Sequence, residues 1–333
     1  MTTTIPEAML AVCLNESDGQ LLVRSVPVPK PGKGEVLVKI AAAPVNPSDL
    51  TRIKNLPGPE DRRSFIAGIE GSGTVIAHGE GLLPHIWMGR RVACSSTHNS
   101  SGTWAEYMVT SAMSCIPLPG AVSFEQGSMM LINPLTAIAF YHIIRRNRHK
   151  AIVSTAAASS LGRFIDLLAK QYHIPVIHIV RNQSQLIDLK SRGAAYILNS
   201  SSENFTETLC ALAAKMNATL VLDAVGGNFT RKLLLAIPFA GSLIIYGNLS
   251  GEQPEIDHRS LVTDNKKIAG FYLVNWLREQ NMLTTISCIL KARKMIRDNI
   301  SIPVQAKFPI DKVQQAVDTY LGNMTSGKVL LVP

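Results

Sequence analysis

Residues 151–162, AIVSTAAASSLG, constrain this chain more than any other stretch. AIVST is a short apolar, β-branched run of the kind that forms a buried strand. A run of small residues follows and ends at Gly162. Around and beyond it Leu161, Phe164, Ile165, Leu168 and Tyr172 recur at helical spacing, which predicts an amphipathic helix. Strand, small-residue turn and helix make up the phosphate-binding unit of a dinucleotide fold. The small residues let the backbone approach a pyrophosphate, and the helix N-terminus offers unpaired N–H groups. The same alternation then repeats. VIHIV (176–180), YILN (196–199), TLVLD (219–223) and SLIIYG (242–247) are expected strands, separated by helices at 183–192, 203–216 and 227–236. Strands alternating with helices predict an α/β fold with a doubly wound parallel sheet.

A GxGxxG turn would place glycine at three positions that here hold Ala157, Ser159 and Gly162, with Ser160 and Leu161 between the last two. Ala/Ser-rich turns are common in α/β proteins, so the turn alone is a weak signal. The end of the next strand adds to it. A ribose 2′-hydroxyl calls for an acid roughly 20 residues after the last glycine, but Arg181 stands nineteen after Gly162 and no acid follows until Asp188. An arginine there suits a 2′-phosphate, which its planar fork grips with two hydrogen bonds. The expected cofactor is therefore NADPH, with Arg181 as its selector and Asn182 and Ser200 as lesser neighbours. The plainer alternative for Arg181 is a solvated loop residue. For Ser159, either the hydroxyl donates to a phosphate or its Cβ holds the cofactor off.

The 333 residues are enough for two domains. Five scattered cysteines form no CxxC pair and predict reduced thiols in a cytoplasm-like compartment. MTTTIPEAMLAV has no basic, apolar leader, and no apolar run approaches membrane-spanning length. The net charge of +9 raises the question of nucleic acid, but only 6% of residues are aromatic and the basic residues are not interleaved with them. The richest basic cluster, Arg145, Arg146, Arg148 and Lys150, precedes the strand 151–155, whereas nucleotide phosphates sit at the opposite strand ends. Neither nucleic acid nor membrane is an expected partner. Residues before about 125 are short strands and Pro/Gly turns, with hairpins at 9–41, strands at 68–79, 89–96 and 101–110, and a short helix LTRIKN capped by Ser48 or Asp49. Helices are expected at 124–131 and on to Arg146. After 267 come a helix near 278–298, a strand at 303–308, a helix at 311–321 and a last strand KVLLVP. The expected domains are 1–124, 125–267 as the nucleotide-binding domain, and 268–333 returning to the first.

AAAPVNPSDL, GIEGSGTVIAHGEG, GRRVAC, GTWAEYMV, NPLTA, AAASSLG, SRGAAYIL, LVLDAVGG, IIYGNLSG and SGKVLLV occur in one order and spacing. In these the chain resembles the medium-chain dehydrogenase/reductase superfamily, in its zinc-free quinone oxidoreductase-like branch. The resemblance implies a GroES-like, β-barrel-like catalytic domain built from both ends of the chain, a Rossmann domain between, an active-site cleft and often a homodimer. It implies that Asn46 and Thr136 face the nicotinamide ring. Val225, Gly226, Gly247 and Asn248 would line the cofactor path, Phe271 and Leu273 would meet the carboxamide by backbone, and Lys328 would reach the cofactor.

Two departures narrow the chemistry. The zinc-dependent relatives carry Cys and His where this chain has Asn46 and Ile69, so no metal is expected. Many enoyl reductases that resemble this chain carry a tyrosine in the loop before the GIEG turn, and here Phe65 is that loop's only aromatic. The expected activity is NADPH-dependent hydride transfer to a quinone, enone or similar small electrophile. The alternatives are a 2-enoyl-thioester reductase and a non-catalytic NADPH-binding sensor. The loops 52–66, 95–102, 248–260 and 271–282 carry no polar pattern that names a substrate.

Overall fold

The computed structural model describes residues 4–56, 58–298 and 302–333. Parts of the N-terminal stretch and of loop 52–66 discussed above therefore lie outside the described residues. The chain divides into two compact units, Met1–Ile132 with Ile289–Pro333, and Asn133–Cys288. The divisions fall at 132/133 and 288/289, beyond the expected 125 and 267. Each follows from a long helix, Ile132–Arg146 and Met282–Asp298.

The first unit opens with a hairpin of β1 (Ala8–Leu14) and β2 (Leu21–Pro27). Next come β3 (Glu35–Pro44), β4 (Glu70–His78), β5 (Arg91–Ser95), β6 (Tyr107–Ser111) and β7 (Cys115–Pro117). The alternation in EVLVKI sends Val36, Val38 and Ile40 into the core, and β3 bends at two bulges against β4. Trp104, fully buried, satisfies its indole N–H on the Pro44 carbonyl at 3.2 Å.

The second unit holds β8 (Ala151–Ser154), β9 (Val176–Val180), β10 (Tyr196–Asn199), β11 (Ala218–Asp223), β12 (Ser242–Ile245) and β13 (Lys267–Gly270). They form one parallel sheet in the order β10-β9-β8-β11-β12-β13. The sequence predicts five of these strands. β13 was not expected, because as an edge strand it keeps lysine and exposed positions and never shows the apolar run of a strand covered on both faces. The chain then returns to the first unit with β14 (Val304–Pro309) and β15 (Lys328–Val332), where β15 pairs antiparallel with β3.

Three expected helices differ in detail. Asn46, not Ser48 or Asp49, is the N-cap of helix Pro47–Lys54, because Pro47 fixes the first helical position. The helix expected at 124–131 stops at Gly127, and the next starts at Ile132 with Pro134 in its first turn. The helix near 278–298 is two, Leu273–Arg278 and Met282–Asp298. Among the described residues no helix is long and apolar enough to cross a membrane.

Candidate active site

In the second unit the sheet reverses direction of growth between β8 and β11, the point where α/β sheets open a crevice at the strand carboxyl ends. Four strand-end segments converge there. The first is the turn after β8. Ala157 is fully buried, and a Cβ on Gly162 would lie 2.3 Å from the Ala157 carbonyl oxygen. Helix Ser160–Gln171 therefore leaves the turn with no room for any side chain at that position. Ala156 takes the left-handed conformation, φ 48°, that costs a non-glycine residue about 1–2 kcal/mol. Ser159 caps the helix, its hydroxyl oxygen accepting from the Gly162 N–H at 3.1 Å. Among the described residues the hydroxyl proton has no acceptor. Ser160 and Leu161, half-buried, begin the helix.

The second segment ends β9. Arg181 is exposed, and among the described residues its guanidinium has no hydrogen-bond or ion-pair partner. Its backbone is fixed, with its N–H donating to Gln185 Oε1 at 3.1 Å and its carbonyl accepting from Ser201 at 2.9 Å. Asn182 has a local task as the N-cap of helix Gln183–Ser191. Ser200 is half-buried, its N–H bonded to the Val180 carbonyl at 2.8 Å. The first acid after the arginine, Asp188, is already held by Arg192 at 2.6 Å and by Arg163 at 3.8 Å. Arg163 was not singled out from the sequence. Its place directly after Gly162 was the available signal.

The third segment follows β11. Asp223 is fully buried and accepts from Thr155, from Thr230 at 2.7 Å and from the Val225 N–H at 2.8 Å. These bonds order the turn after β11. Gly226 stands at φ +77°, where an added Cβ would lie 2.6 Å from Asn248 Oδ1. The fourth segment follows β12. Gly247 lies close over Ala224, and Asn248 is exposed. Thr136 is buried one helical turn before Phe140, whose ring packs on Tyr246 and Phe271 at 5.1 and 4.7 Å between centroids. The Phe271 N–H donates to the Ile245 carbonyl at 2.8 Å, so only its carbonyl is left for a carboxamide. Leu273 is buried and Tyr272 is 64% exposed. The Tyr246 hydroxyl is buried without a partner among the described residues, and burial raises its pKa. The tight turn at Gly162, the capped helix N-terminus, the positive φ at Gly226 and the unpartnered guanidinium of Arg181 fit a dinucleotide. They are the residues that would hold one.

Asn46 lies in the first unit and Thr136 in the second. The surroundings of Asn46 are polar and closed. Asn46, Asp49, Glu70 and Lys328 are between 0 and 3% exposed. Lys328 Nζ donates to Asn46 Oδ1, and Asn46 Nδ2 donates to Glu70 Oε1 at 3.0 Å. Glu70 Oε2 accepts from the Leu131 and Ile132 N–H groups at 3.2 and 3.0 Å. Asp49 accepts from the Asn46 and Ile69 N–H groups, both at 2.8 Å. Burial pushes the Asp49 carboxyl up to about 7 despite those bonds, raises Glu70 and lowers Lys328. The ammonium expected to reach a cofactor is thus bonded inside its own unit. Zinc does not fit this donor set. An ammonium already occupies the Asn46 oxygen, position 69 is isoleucine, and among the described residues no three His, Cys, Asp or Glu side chains come together. Phe65 is a buried core residue with the Arg52 guanidinium 5.3 Å from its ring.

The alcohol dehydrogenase GroES-like domain matches residues 32–120, and the zinc-binding dehydrogenase family matches residues 161–288. A Mesorhizobium loti protein assigned as an NADPH:quinone reductase superposes with TM-score 0.89 at 34% identity, over 99% of this chain and 100% of that one. A mycobacterial protein solved with NADPH superposes at 0.82 and 23% identity, over 98% and 100% of the two chains. The mitochondrial enoyl-[acyl-carrier-protein] reductase of Xenopus tropicalis is 24% identical over 94% of this chain and 91% of its own.

Proposed function

Since the chain belongs to the medium-chain dehydrogenase/reductase superfamily, we propose that it is an NADPH-dependent reductase of quinones, enones or similar small electrophiles, working without zinc. Membership supports the coarser statement, an oxidoreductase using a nicotinamide cofactor. The choice of NADPH rests on one observation, the fixed backbone and unpartnered guanidinium of Arg181 at the end of β9. When bound, that cofactor supplies hydride. Ala157, Ser159, Ser160, Leu161 and Gly162 would hold its phosphates, with Asn182 and Ser200 beside the 2′-phosphate, and Val225 and Gly226 would line the path from adenosine to nicotinamide. Gly247, Asn248, Phe271 and Leu273 would border its nicotinamide end. Asn46 and Thr136 would meet the reacting ring. A quinone needs no side-chain acid, since solvent can protonate the reduced oxygen. The protein's task is orientation and exclusion of water.

The mitochondrial reductase relatives favour a second reading, reduction of an enoyl thioester. That reaction needs a proton delivered to carbon, and the buried Phe65 carries none. The third reading, a sensor, rests on the missing glycines at 157 and 159. Consumption of NADPH against a panel of quinones, enones and enoyl thioesters separates the three. Turnover of quinones or enones is the expected result. Turnover of thioesters alone, or tight binding without turnover, rejects it.

A further inference from the structure

We propose that Cys94 and Cys115 form a redox site, a cross-strand dithiol that hydrogen peroxide closes to a disulfide, fastening edge strand β7 to β5. The site lies wholly in the first unit and is independent of the reductase reading.

Backbone register brings the two thiols together. β5 and β7 are antiparallel, and Cys94 stands directly opposite Cys115. The Leu118 N–H donates to the Arg91 carbonyl at 2.9 Å, so Arg91 and Leu118 are a hydrogen-bonded pair. Hydrogen-bonded and open pairs alternate along an antiparallel ladder. Ala93 and Ile116 are therefore hydrogen-bonded, while Val92/Pro117 and Cys94/Cys115 are open pairs. Pro117, which has no N–H to give, fits its open position. Open pairs bring their Cα atoms to about 4.5 Å, inside the about 4.4–6.8 Å that a disulfide bridges. Both side chains belong to the same core cluster, so both sulfurs lie on one face of the sheet. The other three cysteines have no such counterpart. Cys13 faces Leu22 across its hairpin, and Cys210 and Cys288 lie on helices of the second unit.

Both thiols are free and buried. Cys94 Sγ donates to the Gly71 carbonyl at 3.6 Å, and Cys115 Sγ to the Ser111 carbonyl at 3.9 Å. Burial pushes both thiols up, Cys115 to about 12, and the neighbouring Cys115 adds to the rise at Cys94. The thiolate is the reactive form, so oxidation proceeds through local opening. β7 is built to open. It is three residues long and ends the sheet, with a neighbour on one side only among the described residues. Lifting it puts Cys115 in water, where the thiol ionises nearer the ordinary range. The Cys115 thiolate attacks one peroxide oxygen, the O–O bond breaks, and a sulfenic acid and hydroxide result. Cys94 then attacks the Cys115 sulfur as β7 closes. The S–S bond forms, the S–O bond breaks, and the second hydroxide leaves. With the two thiol protons these become two waters, and two electrons pass from the dithiol to one peroxide.

The test treats the reduced, full-length protein with hydrogen peroxide, unfolds it in N-ethylmaleimide and maps its cysteines by peptide mass spectrometry. The expected product is a joined Cys94–Cys115 peptide pair, lighter by two hydrogens than the free peptides together. It should exceed any other cysteine pair roughly tenfold, because the register holds the sulfurs at high effective concentration. The urea-unfolded chain, treated alike, should lose that preference. In Cys94→Ala, Cys115 should stop at the sulfenic acid and be captured by dimedone. Oxidation of the half-buried Cys210 while Cys94 and Cys115 both take up N-ethylmaleimide would overturn the proposal. So would a disulfide from either residue to a different cysteine, the same preference in the unfolded chain, or no dimedone capture at Cys115 in folded Cys94→Ala. If Cys94→Ala does not fold, the peptide map of the parent decides by itself.

Discussion

Arg181 and Ser159 each separate binding from architecture. Arg181 has an anchored backbone and an uncommitted guanidinium, so its removal takes away ligand contact and little else. A hydrogen bond to a charged group contributes about 1.5–3 kcal/mol, so at about 1.4 kcal/mol per tenfold Arg181→Ala should weaken NADPH roughly ten- to a hundred-fold. NADH affinity should hardly move. Titration of both cofactors against both proteins checks this, and equal losses would make Arg181 structural. Ser159 differs, because its oxygen caps a helix. Ser159→Ala should cost about 1 kcal/mol of stability, and Ser159→Gly only a few tenths. Melting curves of the cofactor-free variants measure that part. NADPH titration then shows how much the hydroxyl adds through the phosphate. A Ser159→Gly protein that binds NADPH tenfold more tightly would identify the serine as an obstruction.

The helix Pro47–Lys54 and strand β4 carry the buried acids that give the first unit its pH response. Asp49 ionises near 3.8 when exposed and near 7 when folded. Between those values the folded chain holds more protons than the unfolded one, so stability should fall as pH rises from about 4 to about 7. Glu70, also raised, adds to the slope. Denaturant melts across that range check the sign. Asp49→Asn should flatten the curve, and it should lower stability because an amide can accept from only one of the two N–H groups Asp49 now serves. This polar cluster was not legible in the sequence, since positions 46, 49, 70 and 328 share no spacing that local pattern can read. The parallel strands were legible because burial on both faces leaves unbroken apolar runs in AIVST, VIHIV and TLVLD. The same reasoning hid β13, whose edge position needs no such run. The short helix after Asn46 was expected with Ser48 or Asp49 as its cap, but a proline at the first helical position moved the cap to Asn46. Asn182 and Ser159 were read as ligand neighbours, and their capping bonds became visible only once the helices had exact starts.

At the scale of the whole molecule, purified protein should contain no stoichiometric zinc, and chelators should leave activity unchanged. Elemental analysis checks the first point, and assay after chelation the second. Zinc lost together with activity would reject the zinc-free reading. The expected homodimer has a physical basis in β13, a sheet edge whose outer side is unpaired among the described residues, near exposed Val262 and Tyr272. Light scattering on a sizing column should return twice the mass of one chain. The Lys328–Asn46 bond joins residues 282 positions apart, and the whole second unit lies between them. During synthesis the nucleotide-binding unit is complete by residue 288, while its partner still waits for β14 and β15. A ribosome stalled between those points, or a protease cutting there, would leave a finished parallel-sheet unit beside an unfinished β unit whose Asn46 Oδ1 lacks its ammonium. Such a fragment keeps the complete parallel sheet and lacks β14 and β15, so translation order makes the final strand the piece that closes the first unit.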